Sequence, residues 1–137
     1  MPYTLIRAGL IATALIFAAP VSAQIAPART EVIQFEAGTS AKTIKGTVKG
    51  YEVVDYVVSA RAGQTMTVTL KSDKASNYFN VTSKGDDSAI YNGSLDGNSY
   101  TGVLPKDGDY IIRVYMMRND ARRNKTASYT LTTAIQS

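Results

Sequence analysis

From Glu31 onward the chain is dominated by period-two alternation of apolar and polar residues. No other feature limits its fold as tightly. Such a run has one apolar face only if the backbone is extended; wound into a helix, it would scatter its apolar residues around the axis. In "YEVVDYVVSA" Val54, Tyr56 and Val58 share one face, and Val53, Asp55 and Val57 the other. "TMTVTLK" sets Met66, Val68 and Leu70 against Thr65, Thr67 and Thr69. "DYIIRVYMM" turns Tyr110, Ile112, Val114 and Met116 inward, and "SYTLTTAI" does the same with Tyr129, Leu131, Thr133 and Ile135. "EVIQFE" alternates Val32 and Gln34 with Ile33 and Phe35. The threonines and β-branched residues in these runs suit a pleated, half-buried surface.

Turn signals divide the runs at short intervals: "VKGYE", "ARAGQ", "SKGDD", "YNGS", "LDGNS" and "PKDGDY". No stretch from Gln24 onward carries helical periodicity beyond a turn or two. About eight short strands, each with one wet face, fit two packed antiparallel sheets. The expected fold is therefore all-β, an antiparallel β-sandwich with jelly-roll-like crossings. Gln24–Thr30, with Pro27, reads as a loose leader ahead of it. Between Lys71 and Ser99 the pattern weakens, leaving a strand at Tyr78–Thr82 and a second at Ala89–Tyr91.

The first residues follow another grammar. Arg7 precedes an apolar stretch from Ala8 to about Ala19, and a small-residue cleavage pattern follows at Val21-Ser22-Ala23. The apolar run is shorter than the roughly 20 residues of a spanning helix. Residues 1–23 thus read as a cleavable secretory signal, and residues 24–137 as a single exported domain, periplasmic or secreted, with no membrane insertion once the signal is removed. That domain has no cysteine to staple it, so its stability must come from the core. Without Arg7 it carries 14 basic and 11 acidic residues, a net charge of +3 (14 − 11). So mild a charge makes any electrostatic function a matter of local placement.

The missing residue types narrow the chemistry. With no histidine and no cysteine, the chain has no imidazole base, no thiol nucleophile and no ligands for the usual zinc sites. A two-carboxylate hydrolase needs an acid in apolar surroundings, but Asp86, Asp87, Asp96, Asp107 and Asp109 fall in turns. The reading is a non-enzymatic protein with no cofactor and no metal. Nucleic acid does not fit either, because exposed aromatics do not interleave with the cations.

One block departs from the alternation. After Met117, "RNDARRNKTA" occupies Arg118–Ala127, where a hairpin needs only about two to five residues. Asn119 is expected to cap a short helical turn of Ala121, Arg122 and Arg123, which Asn124 ends in a left-handed conformation. Arg118 and Arg122 then project on the same side, and Asp120 sits where the helix dipole favours it. Two guanidiniums on one protrusion present planar, forked donors to a carboxylate. A solvated tip, with Asp120 paired to Arg123, is the plain alternative.

The stretch "LPKDGDYIIRVYMMRNDARRNKTASYTLT" resembles the C-terminal half of the periplasmic inhibitors of goose-type (g-type) lysozyme. The resemblance extends upstream through "GTVKGYEVVDYVVSARAGQTMTVTL" and covers roughly residues 33–135. It implies a β-sandwich that blocks a lysozyme by placing loop side chains in the active-site cleft. The family's inhibitory tyrosine and two arginines match Tyr51, Arg118 and Arg122, with Asn119, Asp120 and Ala121 between the arginines and Arg123 beside them. Without the resemblance Tyr51 reads as a sandwich core aromatic. The alternative function is a non-catalytic module binding glycan or cell envelope, for which Tyr91, Tyr100 and Tyr115 would supply the exposed aromatic surface. A purely structural exported domain is the third reading.

Overall fold

A computed structural model of the protein describes residues 28–137. The expected signal segment 1–23 lies outside them. Nine strands and two single-turn helices follow in the order β1 (Ala28–Val32), β2 (Ala41–Lys49), β3 (Val53–Ala60), β4 (Thr65–Ser72), β5 (Asn77–Ser83), β6 (Tyr91–Asn92), α1 (Gly93–Asp96), β7 (Ser99–Val103), β8 (Gly108–Met116), α2 (Arg118–Ala121) and β9 (Thr126–Gln136). They form a five-stranded sheet, β1-β3-β8-β5-β6, and a four-stranded sheet, β2-β9-β4-β7. From β2 to β5 consecutive strands alternate between sheets, as β7, β8 and β9 do. This is the crossing pattern of a jelly roll.

The alternation in sequence becomes the core. Val54, Tyr56, Val58, Met66, Val68, Leu70, Tyr110, Ile112, Val114, Tyr129, Leu131 and Ile135 are all buried between the sheets, as their periodicity predicts. Phe79, Val81 and Val48 complete the layer. Thr133 is buried with them, its hydroxyl without a partner. At the centre the two tyrosine hydroxyls of Tyr56 and Tyr129 meet at 2.6 Å, which satisfies two polar groups that burial would otherwise leave bare. Gly46 makes room for this contact, because a Cβ there would stand 2.6 Å from the Tyr129 hydroxyl.

On the outer face of the five-stranded sheet Asp55 sits opposite Arg113. The guanidinium donates from Nε at 2.7 Å and from Nη2 at 2.9 Å to the two carboxylate oxygens, a bidentate cross-strand pair. That contact holds the Arg113 pKa above its ordinary value, with the hydrogen bond to Asp55 the main cause.

Several expectations need correction. Ala28–Thr30 is not loose leader but the start of β1, which pairs in parallel with β3 and makes this sheet not purely antiparallel. Every β1 residue is exposed, so the segment carries no amphipathic signature and is held by backbone pairing instead. The strand at Tyr78–Thr82 is present within β5, whereas the second strand lies at Tyr91–Asn92 rather than Ala89–Tyr91. Strands β2 and β7 gave no clear sequence signal: β2 is largely exposed with a glycine in its middle, and β7 is a short edge strand. Among the described residues the strands number nine, in keeping with the about eight expected.

Candidate functional site

The topology brings three connections to one end of the sandwich. The chain leaves β2 at Lys49 and re-enters at Val53, leaves β4 at Ser72 and re-enters at Asn77, and leaves β8 at Met116 and re-enters at Thr126. The register fixes this convergence, since Lys49 pairs with Thr126 and Asn77 with Met116.

The basic block between β8 and β9 is a hydrogen-bonded frame. Its helix is Arg118–Ala121, and Met117 rather than Asn119 is the N-cap, in extended conformation and without a side-chain capping bond. The carbonyl of Met117 accepts from the amides of Asp120 and Ala121, and that of Arg118 from the amide of Arg122. Asn119 was expected to hold the first turn, but Asp120 holds the loop from outside: it accepts a hydrogen bond of 2.5 Å from the hydroxyl of Ser76, in the β4–β5 connection. The carbonyl of Ser76 also accepts from the Met117 amide at 2.8 Å. Ser76, which is buried, therefore grips the loop at two points. Ala121 drops its methyl group into the core. Asn124 ends the turn in the left-handed region at φ 55°, as its position predicts.

Tyr51 joins this frame through the neighbouring turn. Gly50 has φ 60°, and its amide donates to the Lys125 carbonyl at 2.9 Å. A Cβ at Gly50 would lie 2.7 Å from the Asn124 side-chain oxygen, so the two turns touch with no space for a larger residue. Tyr51 is 55% exposed and is not a core aromatic. The structure thus places Tyr51 on a turn packed against the one that bears Arg118, Asn119, Arg122 and Arg123, all exposed.

Charge at this end is asymmetric in a useful way. Its carboxylates are already engaged: Glu52 accepts from the Lys49 amide, Asp73 from the Ser128 amide, and Asp120 from Ser76. The expected alternative pairing of Asp120 with Arg123 does not occur. Elsewhere among the described residues Arg113 pairs with Asp55 and Arg29 with Glu31, whereas Arg61 enters no ion pair. Among the described residues Arg118, Arg122, Arg123 and Lys125 enter no ion pair. The protrusion therefore offers unneutralised guanidiniums beside an exposed aromatic, suited to a carboxylate-lined concavity.

Among the described residues Tyr91, Tyr100 and Tyr115 do not form the flat, exposed surface that a glycan-binding module requires. Tyr91 and Tyr100 stack on each other at 4.8 Å between ring centroids, and Tyr91 also packs on Phe79 at 5.4 Å. Tyr115 is half-buried, its hydroxyl bonded to Asn80. Strand alternation turned Tyr100 and Tyr91 toward the core, which overturns their candidacy as a flat platform.

No family model matches the chain. Among curated proteins it is similar to the inhibitor of g-type lysozyme of Escherichia coli (strain K12), 32% identical over 117 residues, covering 84% of this chain and 87% of that protein. Among solved structures it resembles PliG of Aeromonas hydrophila, a periplasmic lysozyme inhibitor of g-type lysozyme. The TM-score is 0.73 and the identity 35%, over 80% of this chain and 97% of the other. PliG of Salmonella Typhimurium, likewise a periplasmic inhibitor of g-type lysozyme, follows with a TM-score of 0.64 and 29% identity, over 79% and 98% of the two chains.

Proposed function

The chain belongs to the family of g-type lysozyme inhibitors, and on that premise we propose that it is exported by the segment 1–23 and acts in the periplasm as domain 24–137. There it binds a g-type lysozyme and occludes the acidic active-site cleft with Arg118, Arg122 and Tyr51. The observation that carries this reading is the set of unpaired guanidiniums held on a hydrogen-bonded frame against the Tyr51 turn.

The chemistry follows from what the enzyme must contain. An enzyme that cleaves a glycosidic bond by protonating its oxygen keeps a carboxyl group in the cleft. A guanidinium entering there meets that carboxylate with two donors and occupies the sugar's place. No reaction is asked of the inhibitor, so a chain without histidine or cysteine suffices. Presenting these side chains from a backbone already fixed by hydrogen bonds also avoids part of the entropy cost of binding. Arginine and tyrosine are the residues that most often dominate an interface, each contributing on the order of 2 kcal/mol or more when buried at its centre. Asn119 and Arg123 flank the arginine pair as rim contacts. Asp120 acts through the loop, by fixing it to Ser76.

The test is inhibition of a g-type lysozyme on peptidoglycan by residues 24–137, beside the Arg118→Ala/Arg122→Ala double variant. Inhibition by the wild type that the variant loses, with thermal stability unchanged, is the expected result. Equal inhibition by both proteins would remove the arginine pair from the mechanism. Absence of inhibition by the wild type would redirect the search to another lysozyme class.

A further inference from the structure

Beyond the signal segment the domain contains three methionines, and they stand in contrasting surroundings. Met66 is fully buried and Met116 is 6% exposed, both in the core. Met117 is 40% exposed, immediately before Arg118. The pairing of β3 with β8 runs out at Val54 opposite Val114, and three positions further along each chain lie Tyr51 and Met117. Tyr51 lies in the turn before β3, beyond the end of that pairing; Met117 is the last residue before Arg118, on the loop against which the Gly50–Tyr51 turn packs. A partner seated on Arg118 and the Gly50–Tyr51 turn therefore approaches an exposed methionine on the same loop.

We propose that Met117 is an apolar contact of the inhibitory surface and the site of a reversible oxidative switch that turns the inhibitor off. The inference rests on the lysozyme-binding reading above. The co-reactant is a peroxide. Its terminal oxygen is transferred to the thioether sulfur as the O–O bond breaks and an S–O bond forms. Sulfur loses two electrons, and hydrogen peroxide leaves as water. The product is a chiral, polar sulfoxide where the interface had a polarisable apolar group. The backbone of Met117 is fixed, its amide bound by the Ser76 carbonyl and its own carbonyl accepting from Asp120 and Ala121, so the oxidised side chain stays anchored beside Arg118. Where the partner closes on this position the sulfoxide oxygen is desolvated, which costs free energy that the thioether does not. Met66 and Met116, shielded by the sandwich, react only when the fold opens.

The experiment uses residues 24–137 treated with hydrogen peroxide until one oxygen is added, with peptide mass analysis to locate it and inhibition of a g-type lysozyme as readout. Oxygen at Met117, inhibition weakened about tenfold (about 1.4 kcal/mol), and recovery after methionine sulfoxide reductase are expected. Met117→Leu, compared with its own untreated form whatever its starting inhibition, should inhibit to the same extent before and after peroxide. Oxygen on Met117 with inhibition unchanged overturns the switch, as does first oxidation at Met66 or Met116. An equal loss in Met117→Leu does so as well. In each of those cases the untreated protein still inhibits, so the proposed function stands. Untreated protein that fails to inhibit overturns both together.

Discussion

Replacing Ser76 by alanine tests the rigidity on which the proposed mechanism depends. The substitution removes the hydroxyl that donates to Asp120 at 2.5 Å but keeps the backbone bond from the Met117 amide to the Ser76 carbonyl. A hydrogen bond to a charged acceptor is worth about 1.5–3 kcal/mol. Asp120 is half-buried and water can partly replace the serine, which places the loss near the lower end, about 1.5 kcal/mol. That free energy belongs to the closed loop, so the equilibrium between closed and open forms should shift about tenfold toward open. The loop amides of Arg122 and Asn124, bonded to the carbonyls of Arg118 and Ala121, report it directly. Their hydrogen exchange should accelerate about tenfold, while amides in the middle of β9 stay protected. Affinity for the lysozyme falls only insofar as the closed fraction falls, so tenfold is the ceiling on its weakening. Unchanged exchange at Arg122 and Asn124 in a folded Ser76→Ala protein would refute the claim that this serine holds the loop.

Other expectations follow from the same structure. Tyr129→Phe leaves the Tyr56 hydroxyl buried without its partner and should cost about 1–3 kcal/mol in denaturant unfolding. The Tyr56→Phe/Tyr129→Phe pair should cost less than the two single changes added, because no orphaned hydroxyl remains. Gly50→Ala forces a side chain into φ 60° against Asn124, with an expected loss of about 1–2 kcal/mol and weaker inhibition through displacement of Tyr51. A Gly50→Ala protein with wild-type inhibition would disconnect that turn from the site. Burial raises the pKa of both Tyr56 and Tyr129 above the ordinary tyrosine value. Their neutral forms are thus favoured by the fold, and their contribution is complete below the unfolded-chain pKa of about 10. It is lost as pH rises beyond that point toward the folded values, so equilibrium unfolding should show flat stability to about pH 9 and a decline above pH 10. The decline should be shallower in the double phenylalanine variant.

The alternation of residues was enough to state which side chains face the core of β3, β4, β8 and β9, because burial on one face of a strand writes itself into every second position. The left-handed Asn124 was legible for a similar reason: a backbone angle that few residues tolerate leaves its mark in residue choice. Strand β1 was legible only at its end: the alternation of "EVIQFE" touches Glu31 and Val32, while Ala28–Thr30 read as leader and residues 33–36 lie beyond the strand. It carries no buried face, and what makes it a strand is the exposed backbone edge of β3, which only the assembled sheet provides. The helix start was misplaced for the same kind of reason. Asn119 has a good local capping side chain, yet Asp120 is drawn to Ser76, 44 residues away in sequence, and the turn begins two residues earlier.

The site divides along that line. Its chemistry is in the sequence, as a cluster of arginines too long for a hairpin and a glycine-tyrosine turn. Its construction is tertiary. The crossing of strands between two sheets brings Gly50 against Asn124 and Ser76 against Asp120, and occupies the carboxylates so that the loop arginines stay unpaired. Residue type sets what a side chain can bind, whereas only the folded chain decides which groups are already satisfied and which remain free for a partner.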